Sequence, residues 1–517
     1  MARPAEPAAP QAAASQVRQF LGASALYVPS VVVPACANFL FIVVFTRLLG
    51  PEELGRYFLI VAGVTFSAVG AGAWFQQAIL RFDSGLDEAA ASGRVVLYVQ
   101  FLVLASVALG LVAAVAIGVG GVSGRWAPAF LALVFALVVA DVWYRTLLAA
   151  LQARAAAGAY AIASVVMALG RYSTAGLLFL LGLRSHLSLL IGLLVTGIGV
   201  VLAVLLRLGS AVGLARLARA VGGWSPPLSV DFGRYASYGM PMLGFMLASE
   251  ARPLLDRVII TAHAGEGSVG IYASNYAIGV SSVGLLALPM LLAAHPILMG
   301  MANAANPDAE GFHRANAAFM RIFLVVMTPI ALIAVPNAAT VARLAVGPEY
   351  VAGHPVIALG FVGSVVNGLA LYVGKTLEWH RRTRTLLLLN VASLVVTTGF
   401  NVVAVGRVGY VGAGYGYCVG AVVYLALVWV AARRDRGVTV PWRLAASGVA
   451  AVLVATLIAA LAPSRLGEVA GGVAGTGAGS LIALPVLLVT LGRSGETRAM
   501  GRAVLRRVAS LVNAMSQ

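Results

Sequence analysis

Polar residues in this 517-residue chain gather in short intervals, and the stretches between them are almost wholly apolar. Runs of about 20 or more apolar residues, the length an α-helix needs to cross hydrocarbon, recur at Phe20–Thr46, Leu54–Leu80, Val95–Gly118, Ala127–Leu151, Gly158–Leu181 and Leu187–Leu206. A basic interval, 207–234, interrupts the series. It resumes at Tyr235–Ala262, Val269–Leu298, Ala315–Pro336, Pro355–Leu377, Leu386–Val405, Gly409–Ala432, Leu444–Ala462 and Val469–Leu491. Backbone polar groups in hydrocarbon must pair within their own segment, so the pattern predicts an all-α polytopic membrane protein of about 14 transmembrane helices. The expected organisation is a disordered cytoplasmic tail (1–19), a six-helix lobe (20–206), a basic cytoplasmic linker (207–234) and a second six-helix lobe (235–432). A helix pair (433–492) and a basic cytoplasmic tail (493–517) complete it.

Composition supports the class: 61% of residues are hydrophobic and 10% charged, where a soluble domain carries about 25% charged residues. A net charge of +17 would suit nucleic acid, but the arginines lie in clusters between apolar runs, so no nucleic-acid partner is expected. With the N-terminus inside, inner segments collect Arg381, Arg382, Arg384, Arg433, Arg434, Arg436 and the arginines of the C-terminal tail. Outer segments hold only Arg47, Arg56, Arg125, Arg184, Arg343, Arg407 and Arg465. That asymmetry predicts an even number of spans with both termini cytoplasmic. Leu208–Val221 and Thr497–Val512 read equally as amphipathic helices on the inner leaflet or as solvated basic segments. The first apolar run is too long for a signal-peptide core and reads as an uncleaved helix.

The chain repeats itself. Thr46–Ala62 (TRLLGPEELGRYFLIVA) aligns without gaps on Thr261–Ala277 (TAHAGEGSVGIYASNYA), matching Thr46 with Thr261, Gly50 with Gly265, Gly55 with Gly270, and Tyr57 with Tyr272. Both copies join an outward span to an inward one, so the halves are related by an axis along the membrane normal. Just before the second copy, Gly239–Gly265 is apolar enough to span yet carries Glu250, Arg252, Asp256 and Arg257, with Pro241 and Pro253. Pro253 removes a backbone donor, so a broken, charged helix is expected here, as a transporter would set beside its substrate.

FTRLLGPEELGRYFLI, LLDRVIITAHAGEGSVGIYASNYAI and AVGPEYVAGHPVIAL, with the span count and repeat placement, resemble the polysaccharide transporter family. These are lipid-linked oligosaccharide (Wzx-type) flippases of the multidrug/oligosaccharidyl-lipid/polysaccharide (MOP) exporter superfamily. The resemblance covers essentially the whole chain. It implies two pseudo-symmetric lobes in a V around a central cavity, alternating access, and residence in a bacterial cytoplasmic (inner) membrane. The implied cargo is an undecaprenyl-pyrophosphate-linked glycan, with membrane lipids and other polysaccharide-assembly membrane proteins as further partners.

Charges inside spans are costly and normally face a bundle interior or a wet cavity. Within-helix pairs are expected for Asp141/Arg145, Arg252/Asp256 and Lys375/Glu378, with Glu250 and Arg257 sharing a face. Arg171 has no acid on its own helix. Guanidinium forks match pyrophosphate oxygens, which makes Arg171, Arg252 and Arg257, with Arg47 at the outer mouth, the candidate anion ligands. Tyr276, with Tyr235, Tyr238 and Asn275, is a candidate for sugar contacts. Glu250, Asp256 and Asp141 are candidates for coupling to H+ or Na+; no other cofactor is expected. Pro29, Pro34, Pro289 and Pro296 read as helix bends, and Gly192–Thr196 and Gly416–Gly420 as close-packing faces. The histidines lack metal-ligand spacing, and no Walker motif points to ATP.

Two other transporters compete. A peptidoglycan-precursor (lipid II, MurJ-type) flippase also has fourteen spans and an arginine-lined cavity, and a cation-coupled multidrug (MATE-type) exporter shares the lobes. The exporters resemble the chain less: they commonly carry a carboxylate in the first span, which is absent here. A glycan polymerase or ligase would need a sizeable outer domain; the largest outer segment, 337–354, offers only Arg343, Glu349 and His354. A transporter, not an enzyme, is expected.

Overall fold

The computed structural model describes residues 9–461 except 85, 87, 121–126, 211–227, 303–307 and 435–437, together with scattered positions between 473 and 485. It is all-helical over these residues: α1 (Ala9–Leu48), α2 (Pro51–Phe82), α3 (Glu88–Gly120), α4 (Ala127–Ala153), α5 (Ala157–Leu180), α6 (His186–Ser210) and α7 (Leu228–Ala302). Then follow α8 (Ala309–Ala334), short α9 (Ala338–Ala345), a 3-10 turn (Pro348–Gly353), α10 (His354–Trp379), α11 (Thr383–Val408), α12 (Val411–Ala432) and α13 (Trp442–Leu461).

Twelve stretches among the described residues are long and apolar enough to cross a membrane. One of them, Met242–Leu291, has 50 residues. At 1.5 Å per residue it reaches roughly 75 Å, more than twice the roughly 30 Å of a hydrocarbon core, so it is two crossings joined. The joint is Gly265, at φ 78° and ψ 171°, a conformation that costs glycine little and other residues much. The expected Tyr235–Ala262 and Val269–Leu298 are these two crossings. The expectation of a break at Pro253 is corrected: the backbone stays helical through Pro253, because one missing donor bends a membrane helix without ending it. Helix α1 reaches back to Ala9, inside the stretch expected to be a disordered tail. The interfacial segment Thr497–Val512 and most of Val469–Leu491 lie outside the described residues, as does Leu208–Val221 beyond Ser210.

The chain forms two compact units: residues 1–41 with 57–254, and residues 42–56 with 255–517. Their borders therefore cut through α1, α2 and α7 rather than falling in the basic linker.

In the first unit, α5 packs along α6, and α4 crosses both. At the end of α2, Asp83 is buried and accepts hydrogen bonds from Tyr98 of α3 and Tyr235 of α7, both at 2.5 Å, with Arg94 Nε 3.6 Å away. Trp74 meets Phe75, Phe101 and Phe232 edge-on beside this hub.

In the second unit, α12 packs between α10 and α11, and a core around Phe312, Phe323, Phe361 and Tyr372 is shared by α7, α8, α10, α12 and α13. The close-packing face expected at Gly416–Gly420 is present: a methyl group there would strike Asn401 or Thr397 of α11. In the first unit, one at Gly192 would strike the carbonyl of Arg171.

The two copies of the sequence repeat meet inside the second unit. A Cβ at Gly55 would fall 1.8 Å from the carbonyl oxygen of Glu266, and one at Gly270 would fall 2.0 Å from that of Pro51. Pro51 and Glu266 are themselves matched positions of the repeat, so the crossing is a local two-fold. The 3-10 turn and the glycine before it close on it: Gly347 N–H donates to Thr46 Oγ1 at 2.9 Å, and Tyr350 Oη donates to the Leu49 carbonyl at 2.7 Å. Asn275 Nδ2 donates to the Tyr350 carbonyl at 2.9 Å. Arg56 spans the crossing to Glu266 at 2.6 Å. At this crossing, adding one methyl forces two backbones apart. Gly55→Ala or Gly270→Ala is expected to destabilise the protein by about 2–3 kcal/mol, read as a lowered thermal midpoint in detergent, whereas Gly63→Ala, with open space at its Cβ, leaves it unchanged.

Candidate functional site

Within the first unit, α1, α2, α4, α5 and α6 enclose a cavity of about 320 Å³. Its polar wall comes from two helices. Asp141, Tyr144 and Arg145 follow α4, and Tyr160, Ser164 and Arg171 follow α5. Spacings of three, four and seven residues set these groups on one stripe of each helix, while most of the remaining α4 and α5 residues are apolar.

The two cavity arginines differ in how their charge is balanced. Arg145 Nε donates to Asp141 at 2.8 Å, the expected within-helix pair, and Glu250 of α7 adds its field there. Arg171 has no such partner. One terminal nitrogen donates to Asn38 Oδ1 at 2.6 Å, and its guanidinium lies 4.4 Å from the Tyr172 ring centre. The Tyr172 hydroxyl donates to the same Asn38 oxygen at 2.7 Å. Arg171 Nε is buried without a hydrogen-bond partner, and no carboxylate among the described residues pairs with this side chain. A neutral amide orients the guanidinium without cancelling its charge, so the cavity wall is left cationic and able to receive an anion.

The charged stretch of α7 does not form one cluster. Glu250 and Arg252 belong to the first unit, Asp256 and Arg257 to the second. The expected Arg252/Asp256 pair is corrected. Among the described residues Arg252 makes no ion pair, and its Nε is buried without a partner. Asp256 instead turns into the second unit, where it is buried and accepts from Asn401 Nδ2 of α11 at 2.7 Å and from the Tyr272 hydroxyl at 3.3 Å. These contacts, rather than the i,i+4 arginine, orient the carboxylate.

The other candidates are dispersed. Arg47 donates to the carbonyls of Leu344 and Ala345, at 2.8 and 3.2 Å, and so caps the C-terminus of α9. Tyr276 stacks on Tyr272 with centroids 5.4 Å apart and meets Tyr417 edge-on. Tyr235 is held by Asp83 and Asn275 by backbone carbonyls. Lys375 and Glu378 pair at 2.8 Å as expected, and His295 Nδ1 lies 2.8 Å from the same ammonium. Among the described residues no cluster of His, Cys, Asp and Glu could hold a metal ion.

Sequence reasoning passed over Asn38, Asn401, Asp83 and the α4/α5 polar stripe of Tyr144, Tyr160 and Ser164. A carboxamide inside an apolar span was an available signal for Asn38 and Asn401.

No protein-family model and no curated protein matches the sequence. Solved structures do. One titled lipid II flippase MurJ, inward closed conformation, aligns with a TM-score of 0.65 at 11% identity, over 92% of this chain and all of that one. An inward-facing multidrug resistance MATE family transporter of the MOP superfamily gives 0.55 at 17% identity, over 80% and 94%. A MATE in the bent conformation gives 0.51 at 15%, over 83% and 96%. The chain thus shares its overall fold with these solved structures.

If Asp256 anchors α7 to α11, Asp256→Ala strands two buried donors and is expected to cost about 3 kcal/mol, while Asp256→Asn, which keeps an acceptor, costs about 1 kcal/mol. Thermal unfolding of both variants in detergent separates the two outcomes.

Proposed function

We propose that the protein is a flippase carrying an undecaprenyl-pyrophosphate-linked glycan repeat unit from the inner to the outer leaflet of a bacterial cytoplasmic membrane, by alternating access. The observation that carries this reading is the uncompensated guanidinium of Arg171 in a cavity within a membrane-spanning unit. Holding a charge there is expensive, and a diphosphate ligand is the chemistry that offsets it. The likeness in fold to a lipid II flippase and to MOP-superfamily exporters supports a transporter over an enzyme.

Arg171 takes the pyrophosphate on its guanidinium, with Asn38 and Tyr172 fixing the plane of the group. Arg252 is the second anion ligand. Arg257 and Arg47 remain candidates for other stages of the cycle, Arg47 only if it leaves the α9 carbonyls. Tyr276 is the aromatic candidate for the sugars. Asp141 and Glu250, balanced against Arg145, are the candidates for coupling to H+ or Na+; Asp256 is already held by Asn401 and Tyr272. The charge asymmetry supports cytoplasmic termini.

A lipid II flippase is the second reading, favoured by the 0.65 similarity spanning the whole of that neighbour. It uses the same pyrophosphate ligands and differs in the glycan. A multidrug exporter fits less well, because α1 from Pro29 to Leu48 contains no carboxylate.

Complementation of a flippase-deficient strain, following lipid-linked intermediates, tests the proposal. Arg171→Ala and Arg252→Ala are expected to insert normally and let the intermediate accumulate on the cytoplasmic face. Each loses roughly 10- to 100-fold in turnover, the worth of one charge-assisted hydrogen bond or two. Full activity in both variants removes the anion site.

A further inference from the structure

In the second unit, α12 ends at Ala432 and is followed by Arg433 and Arg434, and α13 begins with Trp442-Arg443. Between these two helices lies a groove of about 460 Å³ lined by Val422, Leu425, Ala426 and Trp429 of α12 and by Trp442 of α13. The α12 residues follow the i, i+3, i+4, i+7 spacing of a single helical stripe. The stripe is roughly 10 Å long at 1.5 Å per residue, and it opens sideways beside exposed Val422 and Trp442.

The mouth of the groove is cationic. Trp429 and Trp442 meet edge-on with centroids 5.5 Å apart, and the Arg433 guanidinium sits 5.4 Å from the Trp429 ring centre. That contact holds the charge over the tryptophan rather than letting it swing into solvent. Arg434 and Arg443 flank it and are exposed. Among the described residues no carboxylate pairs with any of the three. Paired indoles at a helix end suit the level of lipid headgroups, and the arginine excess is what the positive-inside rule expects of a cytoplasmic end.

We propose that this groove is a binding site for an anionic phospholipid of the inner leaflet. An acyl chain lies along Val422, Leu425 and Ala426, the glycerol region sits between the two tryptophans, and the phosphate is held by Arg433 and Arg443. Charge complementarity selects the occupant. Basic pockets between helices on the cytoplasmic side hold anionic headgroups, and planar guanidinium groups match phosphate oxygens. A zwitterionic lipid brings a cation to a rim that already holds three. The occupant would wedge α13 against α12 without entering the cavity of the first unit, so the site is independent of the transported cargo.

The test is native mass spectrometry of the full-length chain, stripped of lipid in detergent and titrated with phosphatidylglycerol or phosphatidylcholine of identical acyl chains. Wild type is expected to retain one phosphatidylglycerol with roughly tenfold preference over phosphatidylcholine. Arg433→Ala with Arg443→Ala abolishes the preference, and Trp442→Ala weakens both lipids. These side chains are exposed, so the variants keep the wild-type thermal midpoint without added lipid. Equal binding of the two lipids to wild type overturns the proposal, as does an undiminished preference in the double arginine variant. A polyprenyl phosphate that displaces phosphatidylglycerol at lower concentration also overturns it, by assigning the groove to the cargo's tail.

Discussion

Hydrocarbon supplies no hydrogen bonds and tolerates no unbalanced charge, and the described structure follows from how each polar group meets that demand. Backbone groups meet it by helix formation alone, which is why every described element is helical. Buried carboxylates meet it with donors from several helices: Asp83 takes two tyrosine hydroxyls and the Arg94 guanidinium, and Asp256 takes a carboxamide and a tyrosine among its partners. Arg145 and Lys375 meet it with acids on their own helices. Arg171 stands apart, oriented by an amide and a ring but not neutralised. A charge kept in that condition is a cost to the fold, and a ligand of opposite sign is what makes the cost intelligible.

A second constraint concerns how helices are shared. The three sequence motifs that resemble polysaccharide transporters are far apart in the chain, yet their residues meet at one place: Gly55 against Gly270, Thr46 against Gly347, and Tyr350 between Leu49 and Asn275. The two repeats cross where neither has a side chain, so backbone lies on backbone, and Arg56 bridges them to Glu266. This places residues 42–56 in the second unit while the rest of α1 and α2 stays in the first.

Much of the fold was legible because its cause is one-dimensional. Apolar run length fixes helix positions, and the ends of the spans at Ala127–Leu151, Gly158–Leu181 and Leu187–Leu206 fall within four residues of those of α4, α5 and α6. The pairs Asp141/Arg145 and Lys375/Glu378 were also legible, since helical spacing alone brings them together. Arg252/Asp256 has the same spacing but does not pair, because its outcome depends on Asn401, 145 residues away. The break assigned to Pro253 fell at Gly265 for a related reason. Proline only weakens a membrane helix, whereas Gly265 takes a positive φ that breaks the helix. Asn38, which orients Arg171, could not be assigned from spacing because its role exists only across helices.

The central claim is that Arg171 faces a wet, anion-accepting cavity, and cysteine accessibility at the cavity wall tests it most directly. Thr65→Cys, a cavity-lining position on α2, is compared in a Cys36→Ala, Cys418→Ala background with Leu202→Cys on the exposed apolar face of α6. A charged, water-soluble thiol reagent is expected to label Thr65→Cys rapidly and Leu202→Cys hardly at all. Inorganic pyrophosphate should slow the labelling, and that protection should vanish with Arg171→Ala. Labelling of Thr65→Cys as slow as that of Leu202→Cys, or protection that persists without Arg171, would contradict the account.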